Sequence, residues 1–184
     1  IHAGGADLIF PHHENEIAQS ECANGCKFVN YWLHNGFVTI NKEKMSKSLG
    51  NFLTIDDMLK NYDANTLRLF ILTNHYRMPV EFSDEALTAA QAGAKRLTNA
   101  KQTPINENLD ITTTDEYKAF VDAMDDDLNT SKALAVLFDL ATRANKGEAN
   151  AYTILYKLGS TLGFTFEKAS LSEDEISKAI NHVS

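Results

Sequence analysis

Residues 37–48 read FVTINKEKMSKS. The first four are one aromatic and three β-branched residues, a composition that favours a short strand, and a loop rich in lysine follows at once. Upstream, residues 3–7 (AGGAD) have the composition of a turn. Pro11 suits the first position of a helix that we expect to run from about His12 to Cys22. This order of elements indicates an α/β unit in the first part of the chain.

From residue 54 onward the pattern is helical. The capping residues Thr54, Asp63 and Ser83 each precede an apolar stretch of helical period, which predicts three helices. Residues 102–113 are polar, contain a proline and lack periodicity, so they are expected to form a linker. Further helices are then predicted to begin at Thr113, Thr130, about Ala149 and Ser172.

The composition excludes several classes of protein. The chain has 184 residues, 43% of them hydrophobic, which is enough for at least one sizeable core. No apolar run approaches the roughly 20 residues of a membrane-spanning helix. The net charge of −8 argues against a protein that coats nucleic acid generally. The two cysteines, Cys22 and Cys26, form no disulfide framework and are expected to be free thiols in a reducing cytoplasm.

The charge is unevenly distributed along the chain. Residues 1–101 carry ten Lys and Arg against eleven Asp and Glu, whereas the remainder carries seven against fourteen. An RNA contact is therefore expected, if anywhere, in the first half, where the candidate cations are Lys42, Lys44, Lys47, Arg68, Arg77, Lys95 and Arg96. A scatter of solvated surface charges explains the same pattern.

The lysine loop has the chemistry of a triphosphate site. Lys44 and Lys47 are three residues apart and are flanked by the hydroxyls of Ser46 and Ser48. Compact, mobile ammonium groups can follow negative charge as it moves onto a leaving pyrophosphate. The alternative is an ordinary exposed lysine loop.

A second candidate site lies at the predicted helix after Pro11. His12 and Glu16 are four residues apart, so on a helix they share one face and can meet one metal ion. His13 and Glu14 are then expected to point elsewhere. A His–Glu pair at this spacing is, by itself, more often a surface hydrogen bond.

The loop at 44–48 resembles the second signature of class I aminoacyl-tRNA synthetases. In that family the loop binds the ATP phosphates during amino-acid adenylation, which implies that Lys47 contacts the nucleotide and that Lys44 assists. The resemblance also implies that ATP with Mg2+ is a substrate and that the amino-acid carboxylate attacks the α-phosphate with little proton transfer. The resemblance implies that residues 1–53 are the C-terminal remnant of a Rossmann-type domain.

The string at 4–16, GGADLIFPHHENE, narrows the resemblance to cysteinyl-tRNA synthetase. In that family a His and a Glu so placed bind Zn2+ together with two cysteines from upstream segments, which implies that His12 and Glu16 are two of four ligands. Zinc binds a thiolate far better than a serine hydroxyl, so it can distinguish cysteine from serine, which has nearly the same size. Cys22 and Cys26 are too far along the helix to complete the site.

The same string implies a nucleotide role for Gly5 and Asp7. In class I synthetases a glycine and an acidic residue in this turn approach the ATP ribose, and a carboxylate can accept the ribose hydroxyls. An ordinary glycine-rich turn, with Asp7 capping a helix, is the alternative.

The helical part resembles the family's tRNA-binding regions. The fold expected is mainly α: an α/β remnant at 1–53, a connector touching the tRNA stem at 54–101, the linker at 102–113 and a truncated anticodon-binding-type bundle at 114–184. Arg77 could meet a tRNA phosphate or pair with a neighbouring carboxylate. Asp125, Asp126 and Asp127 would repel phosphates and are assigned to helix capping and surface solvation.

The activity implied by the resemblance is the ATP-dependent activation of cysteine and its transfer to tRNA(Cys), in a monomer. The family's His-x-Gly-His signature is absent from the sequence, so the chain is expected to be an inactive fragment on its own. Two alternatives are the paralogous ligase of mycothiol synthesis, which joins cysteine to an amino-sugar, and a non-catalytic helical module that binds RNA or another partner. The linker and bundle favour the synthetase.

Overall fold

The computed structural model describes residues 1–40 and 54–166, and the backbone of Glu43 and Lys44. Strands lie at His2–Gly5 (β1), Trp32–Asn35 (β2), Val38–Ile40 (β3), Glu43–Lys44 (β4) and Val80–Phe82 (β5). Helices lie at Glu14–Asn24 (α1), Ile55–Leu59 (α2), Ala64–Leu72 (α3), Asp84–Thr98 (α4), Asp115–Asp125 (α5), Thr130–Asn145 (α6) and Ala151–Thr161 (α7). The chain is mainly helical, as the sequence predicted.

The strands form two small sheets with parallel pairings. β1 pairs in parallel with β2, so that His2 lies beside Trp32 and Gly4 beside His34. β3 lies between β4, which is antiparallel to it, and β5, which is parallel to it. Each parallel pair is joined through helices, which is the connection of an α/β unit. The strand predicted at 37–40 is confirmed, whereas β5 was not expected.

The predicted helix starts are confirmed in the connector. Thr54 accepts a hydrogen bond from the Asp57 amide at 3.0 Å, and Asp63 and Ser83 cap α3 and α4 in the same way. In the bundle the caps are displaced by one residue. Thr114, not Thr113, caps α5, and Asn129, not Thr130, caps α6.

The first helix begins later than predicted. Ile9–His13 forms a wide helical turn interrupted by an extended Phe10, and regular α-helix begins only at Glu14. The helix ends as expected, at Gly25, whose φ of 65° is the left-handed conformation that glycine accepts at helix ends.

One hydrophobic core runs from the connector into the bundle. Its buried members come from α3 to α7 and from the segment after α7; they include Leu69, Leu97, Leu137, Leu140, Leu155 and Phe164. A second, smaller cluster of Phe70, Val80, Leu87 and Ala90 ties β5 to α3 and α4. The connector and bundle are therefore packed together.

The predicted linker has no helix until a short 3-10 turn at Ile111–Thr113. It is nevertheless held against the bundle. The Asn106 amide donates to the Thr153 hydroxyl at 3.1 Å, and Lys157 Nζ donates to the Leu109 carbonyl at 3.2 Å. No helix in the described part of the chain has the length and apolar composition needed to cross a bilayer.

Candidate metal and nucleotide site

The carboxylate of Glu16 lies among three imidazoles. Its Oε2 is 2.8 Å from Nε2 of His2 and 4.0 Å from Nε2 of His13. Its Oε1 is 3.5 Å from Nε2 of His12. His2, His13 and Glu16 form a group whose ligand atoms all lie within 4.8 Å of one another. We refer to His2, His12, His13, Glu16 and His34 as the histidine cluster.

Local structure brings these side chains together. The parallel pairing of β1 and β2 places His34 beside Gly4, and Nδ1 of His13 lies 2.9 Å from Nε2 of His34. Gly4 leaves room for this arrangement: a Cβ there would lie only 3.1 Å from Cε1 of His13 and 2.8 Å from Cδ1 of Leu8. A larger residue at position 4 would displace the His13 ring.

Burial and charge shape the cluster. His13 is only 3% exposed, and this burial, together with the nearby His2, lowers its pKa, although Glu16 opposes the shift. A lowered pKa keeps the imidazole neutral, which is the form that binds metal. The rings of Phe28 and Trp32 pack against His2.

One oxygen of Glu16 is unsatisfied. Oε2 is buried, and among the described residues it has no partner with hydrogen-bond geometry, despite the closeness of His2. A buried carboxylate oxygen without a partner is unfavourable unless a cation meets it. Imidazole nitrogens and a carboxylate oxygen are ligands of Zn2+, so the residues present fit that metal.

The predicted pair, His12 and Glu16, is brought together on one face, and the His12 side chain is 60% exposed. The expectation for His13 was wrong. His13 points into the cluster, because its backbone is helical, with φ −65° and ψ −35°, and residues three apart on a helix, such as His13 and Glu16, lie close together. Glu14 is exposed, as expected.

His2 and His34 were missed from the sequence, since both are far from His12 along the chain. Trp32 and His34 alternate along β2, which is the pattern of residues sharing one face of a strand. That alternation, with His2 opening another strand, was the available signal.

Gly5 and Asp7 are in close contact. A Cβ at Gly5 would lie 2.5 Å from Oδ1 of Asp7, so a side chain at this position would displace the carboxylate. The N-cap positions of the helical segments between Ala6 and Asn24 are Gly5, Leu8 and His13, and none of these three makes a side-chain cap hydrogen bond. Both interpretations of Asp7, a ribose contact and a turn residue that caps a helix, stay predictions.

The lysine loop lies largely outside the described residues. Lys44 is in β4, where its backbone pairs with Thr39 of β3. Lys47 lies outside the described residues. The nucleotide roles of Lys44 and Lys47 stay predictions.

Arg77 is paired with a carboxylate of the bundle. Its Nε donates to Oδ2 of Asp127 at 2.6 Å and its Nη2 donates to Oδ1 at 3.1 Å. The expectation that the aspartates serve only capping and solvation was therefore wrong for Asp127. Asp126 accepts from Lys132 and Asn129, and Asp125 is exposed. Cys22 and Cys26 are free and exposed, as expected.

Comparison with known proteins agrees with this arrangement. The model for the "tRNA synthetases class I (C) catalytic domain" matches residues 1–92, and the model for the "DALR domain" matches residues 119–167. A cysteine–tRNA ligase from Laribacter hongkongensis is 55% identical over 166 residues, which cover 89% of this chain and 36% of the relative. The chain belongs to the cysteinyl-tRNA synthetase family. The chain thus matches models of two different domains, one in its first half and one in its second.

Other cysteine–tRNA ligases extend the match. The relative from Shouchella clausii is 46% identical and covers 98% of this chain, and the one from Geobacter metallireducens is 48% identical and covers 94%. The chain spans 44% and 41% of these two synthetases, so it corresponds to less than half of their length.

Proposed function

We propose that the full-length protein containing this chain activates cysteine with ATP and joins it to tRNA(Cys). The observation that carries the proposal is the histidine cluster around Glu16, in a chain 55% identical to a cysteine–tRNA ligase. The reaction begins when the cysteine carboxylate attacks the α-phosphate of ATP and pyrophosphate leaves. A hydroxyl of the terminal adenosine of the tRNA then takes the cysteinyl group and releases AMP. The match to the DALR domain favours this reaction over the mycothiol ligase.

In this proposal His12 and Glu16 hold Zn2+, with two further ligands from other parts of the protein. When bound, the metal supplies selective coordination of a thiolate, which distinguishes cysteine from serine. The chain's own residues prepare for it: Glu16 directs Oε1 towards His12, and buried His13 stays neutral beside Oε2. His2 is close enough to Glu16 to orient the same carboxylate.

The lysine loop and the turn after β1 would hold the nucleotide. Lys44 and Lys47 are proposed to neutralise the phosphates of ATP, which binds together with Mg2+. Gly5 and Asp7 are proposed to contact the ribose. The close packing of Asp7 over Gly5 supports the latter, because it fixes the carboxylate at the end of a parallel strand, where nucleotide sites of α/β folds lie.

We further propose the architecture and setting of this synthetase. The parallel pairs β1–β2 and β3–β5 support a Rossmann-type remnant at 1–53, followed by a connector at 54–101, the linker at 102–113 and an anticodon-binding-type bundle at 114–184. A monomer in the cytoplasm is proposed, and the free thiols of Cys22 and Cys26 support a reducing compartment.

The test uses a full-length enzyme in which this chain replaces the matching segment of the Laribacter hongkongensis relative. We expect cysteine-dependent exchange of pyrophosphate into ATP, and charging of tRNA(Cys). The 184-residue chain alone is expected to support neither. A full-length enzyme that charges no tRNA with cysteine would overturn the proposal.

The metal is tested by His12→Ala and Glu16→Gln, with the neighbouring, exposed Glu14→Gln as control. Both cluster variants should lose bound zinc and discriminate less well between cysteine and serine in the exchange reaction. The control should keep both properties. Full zinc content and unchanged selectivity in Glu16→Gln would contradict the assignment.

A further inference from the structure

The bundle is fastened to the connector by a second polar cluster, which we name the domain joint: Tyr76, Arg77 and Asp127. Arg77 grips both carboxylate oxygens of Asp127, at 2.6 and 3.1 Å, and the Tyr76 hydroxyl donates to Oδ1 at 2.8 Å. The Arg77 guanidinium also lies over the Tyr76 ring, 5.0 Å from its centroid. A two-pronged arginine–carboxylate pair fixes orientation as well as distance.

The backbone at the joint is unusual. Asp127 and the following Leu128 have φ values of 53° and 56°, so two consecutive residues other than glycine are left-handed. This conformation is disfavoured for residues with a Cβ. Burial does not account for it, since Leu128 is 41% exposed. The turn between α5 and α6 is closed by backbone hydrogen bonds from Leu128 to Met124 at 2.9 Å and from Asn129 to Ala123 at 3.0 Å, and the side-chain contacts of Asp127 add to them.

The other side of the joint is hydrogen-bonded to the residue that follows β2. The Tyr76 carbonyl accepts a hydrogen bond from the Gly36 amide at 2.8 Å. Gly36 directly follows β2, the strand that carries His34. Close beside the joint, the Ser131 hydroxyl of α6 donates to the Thr73 carbonyl at 2.7 Å. One short loop of the connector therefore contacts both the bundle and the strand end beside the cluster.

We propose that Arg77 and Asp127 are positioning residues, which set the placement of the helical bundle relative to the end of β2. The catalytic consequence of this role rests on the proposed function. A tRNA held by the bundle must deliver its terminal adenosine to an aminoacyl adenylate near the cluster, so the joint governs transfer to tRNA and not activation of cysteine. Neither residue touches the reacting atoms.

A phosphate contact for Arg77 makes opposite predictions. If Arg77 bound a tRNA phosphate, neutralising Asp127 would free the guanidinium and strengthen tRNA binding, and removing Arg77 would lower the salt dependence of binding by about one charge. If the joint positions the bundle, Arg77 and Asp127 variants have the same defect. The double variant then has no larger defect than either single variant.

The catalytic test compares Arg77→Lys, Asp127→Asn and the double variant in the full-length enzyme, with the adjacent, exposed Asp125→Asn as control. Arg77→Lys keeps the positive charge but cannot make the two-pronged hydrogen bond to the Asp127 carboxylate. We expect pyrophosphate exchange within about twofold of the unmodified enzyme, and kcat of tRNA charging reduced roughly tenfold to hundredfold, the range for small misplacement of reactants. The double variant should match the singles, and the control should be unaffected.

Three results would overturn the proposal: unchanged charging in Arg77→Lys and Asp127→Asn, an equal fall in exchange and charging, or tighter tRNA binding by Asp127→Asn. An unmodified enzyme that charges no tRNA would instead refute the proposed function, and a second measurement then decides the positioning role.

That measurement needs no activity. In the 184-residue chain, spin labels are placed on the native, exposed Cys22 of α1 and on a cysteine at exposed position 146 (Lys146→Cys), with Cys26→Ser removing the other thiol. The distribution of label distances should shift and broaden in Asp127→Asn and Arg77→Lys, but not in Asp125→Asn. An identical distribution in all variants means that the joint does not place the bundle.

Discussion

Nδ1 of His13 lies 2.9 Å from Nε2 of His34. One of these nitrogens must donate and the other accept. If His13 donates from Nδ1, its Nε2 keeps a lone pair directed towards Glu16, which is the tautomer that a metal ligand or a hydrogen-bond acceptor needs. His34 would therefore determine which nitrogen of the buried His13 ring carries the proton.

Replacing His34 should weaken metal binding. With His34→Phe, His13 loses the partner that fixes its tautomer and holds it beside Glu16, and the affinity of the full-length enzyme for Zn2+ should fall roughly tenfold or more, as is usual for residues behind a ligand. Titration against a chromophoric chelator measures this. His75→Phe, which alters a histidine near Asp127, is the control, and an equal loss in that variant would contradict the assignment.

Substitution of Gly36 should destabilise the chain. A Cβ there would lie 2.4 Å from the carbonyl carbon and oxygen of Met78, so backbone would have to move. We expect Gly36→Ala to lower the free energy of unfolding by about 1–3 kcal/mol, as overpacking does, measured by urea denaturation. Gly25→Asn is the control, because nothing lies within 4 Å of a Cβ there and asparagine tolerates its left-handed φ of 65°.

Stability at low pH should depend on Asp127. Its hydrogen bond from Arg77, with that from Tyr76, lowers its pKa to about 2 from the usual 3.8. Because the folded pKa is below the unfolded one, this stabilisation is complete above pH 3.8 and is lost as the pH falls towards 2. Asp127→Asn should therefore melt at a lower temperature than the unmodified chain at pH 5, and the difference should shrink by pH 2.

The neighbouring Asp125→Asn serves as the comparison for those melting curves. Asp125 is exposed and belongs to none of the ion pairs found in the described residues. A difference that persists unchanged down to pH 2 in Asp127→Asn would show that its carboxylate is not stabilised by Arg77.

The bundle should be weakened by loss of the ion pair between Glu116 and Arg143. Glu116 is 18% exposed at its side chain, and its hydrogen bond from Arg143 lowers its pKa. Glu116→Gln should lower the free energy of unfolding by about 1.5–3 kcal/mol, the range for a hydrogen bond to a charged group. The exposed Glu107→Gln should change it little, and an equal effect would point to a general charge effect.

Local features of the fold were predictable from the sequence. The caps at Thr54, Asp63 and Ser83 act within three residues, so the sequence alone specifies them. In the bundle the predicted caps were wrong by one residue, because two neighbouring residues have similar capping ability at each position. These are Thr113 and Thr114 before α5, and Asn129 and Thr130 before α6. β5 was missed because three residues carry too little periodicity, and its existence depends on pairing with β3.

The candidate site was predictable only where its residues are close in sequence. The spacing of His12 and Glu16 on a helix can be recognised from the sequence alone. His2 and His34 join them only through the parallel pairing of β1 and β2. The partner of Arg77 was equally hidden. Asp127 is distant in the chain and reaches Arg77 through the packing of the bundle on the connector.

The core shared by connector and bundle has a consequence for protein engineering. A Cβ at Gly93 of α4 would lie 2.6 Å from Cδ2 of Leu69 on α3 and 3.4 Å from the Phe138 ring of α6. Cutting the gene within the linker after α4 would thus separate surfaces that pack closely together. A bundle exchanged between distant homologues would then fit poorly against α3 and α4. A transplantable cassette would have to carry α3 and α4 along with the bundle.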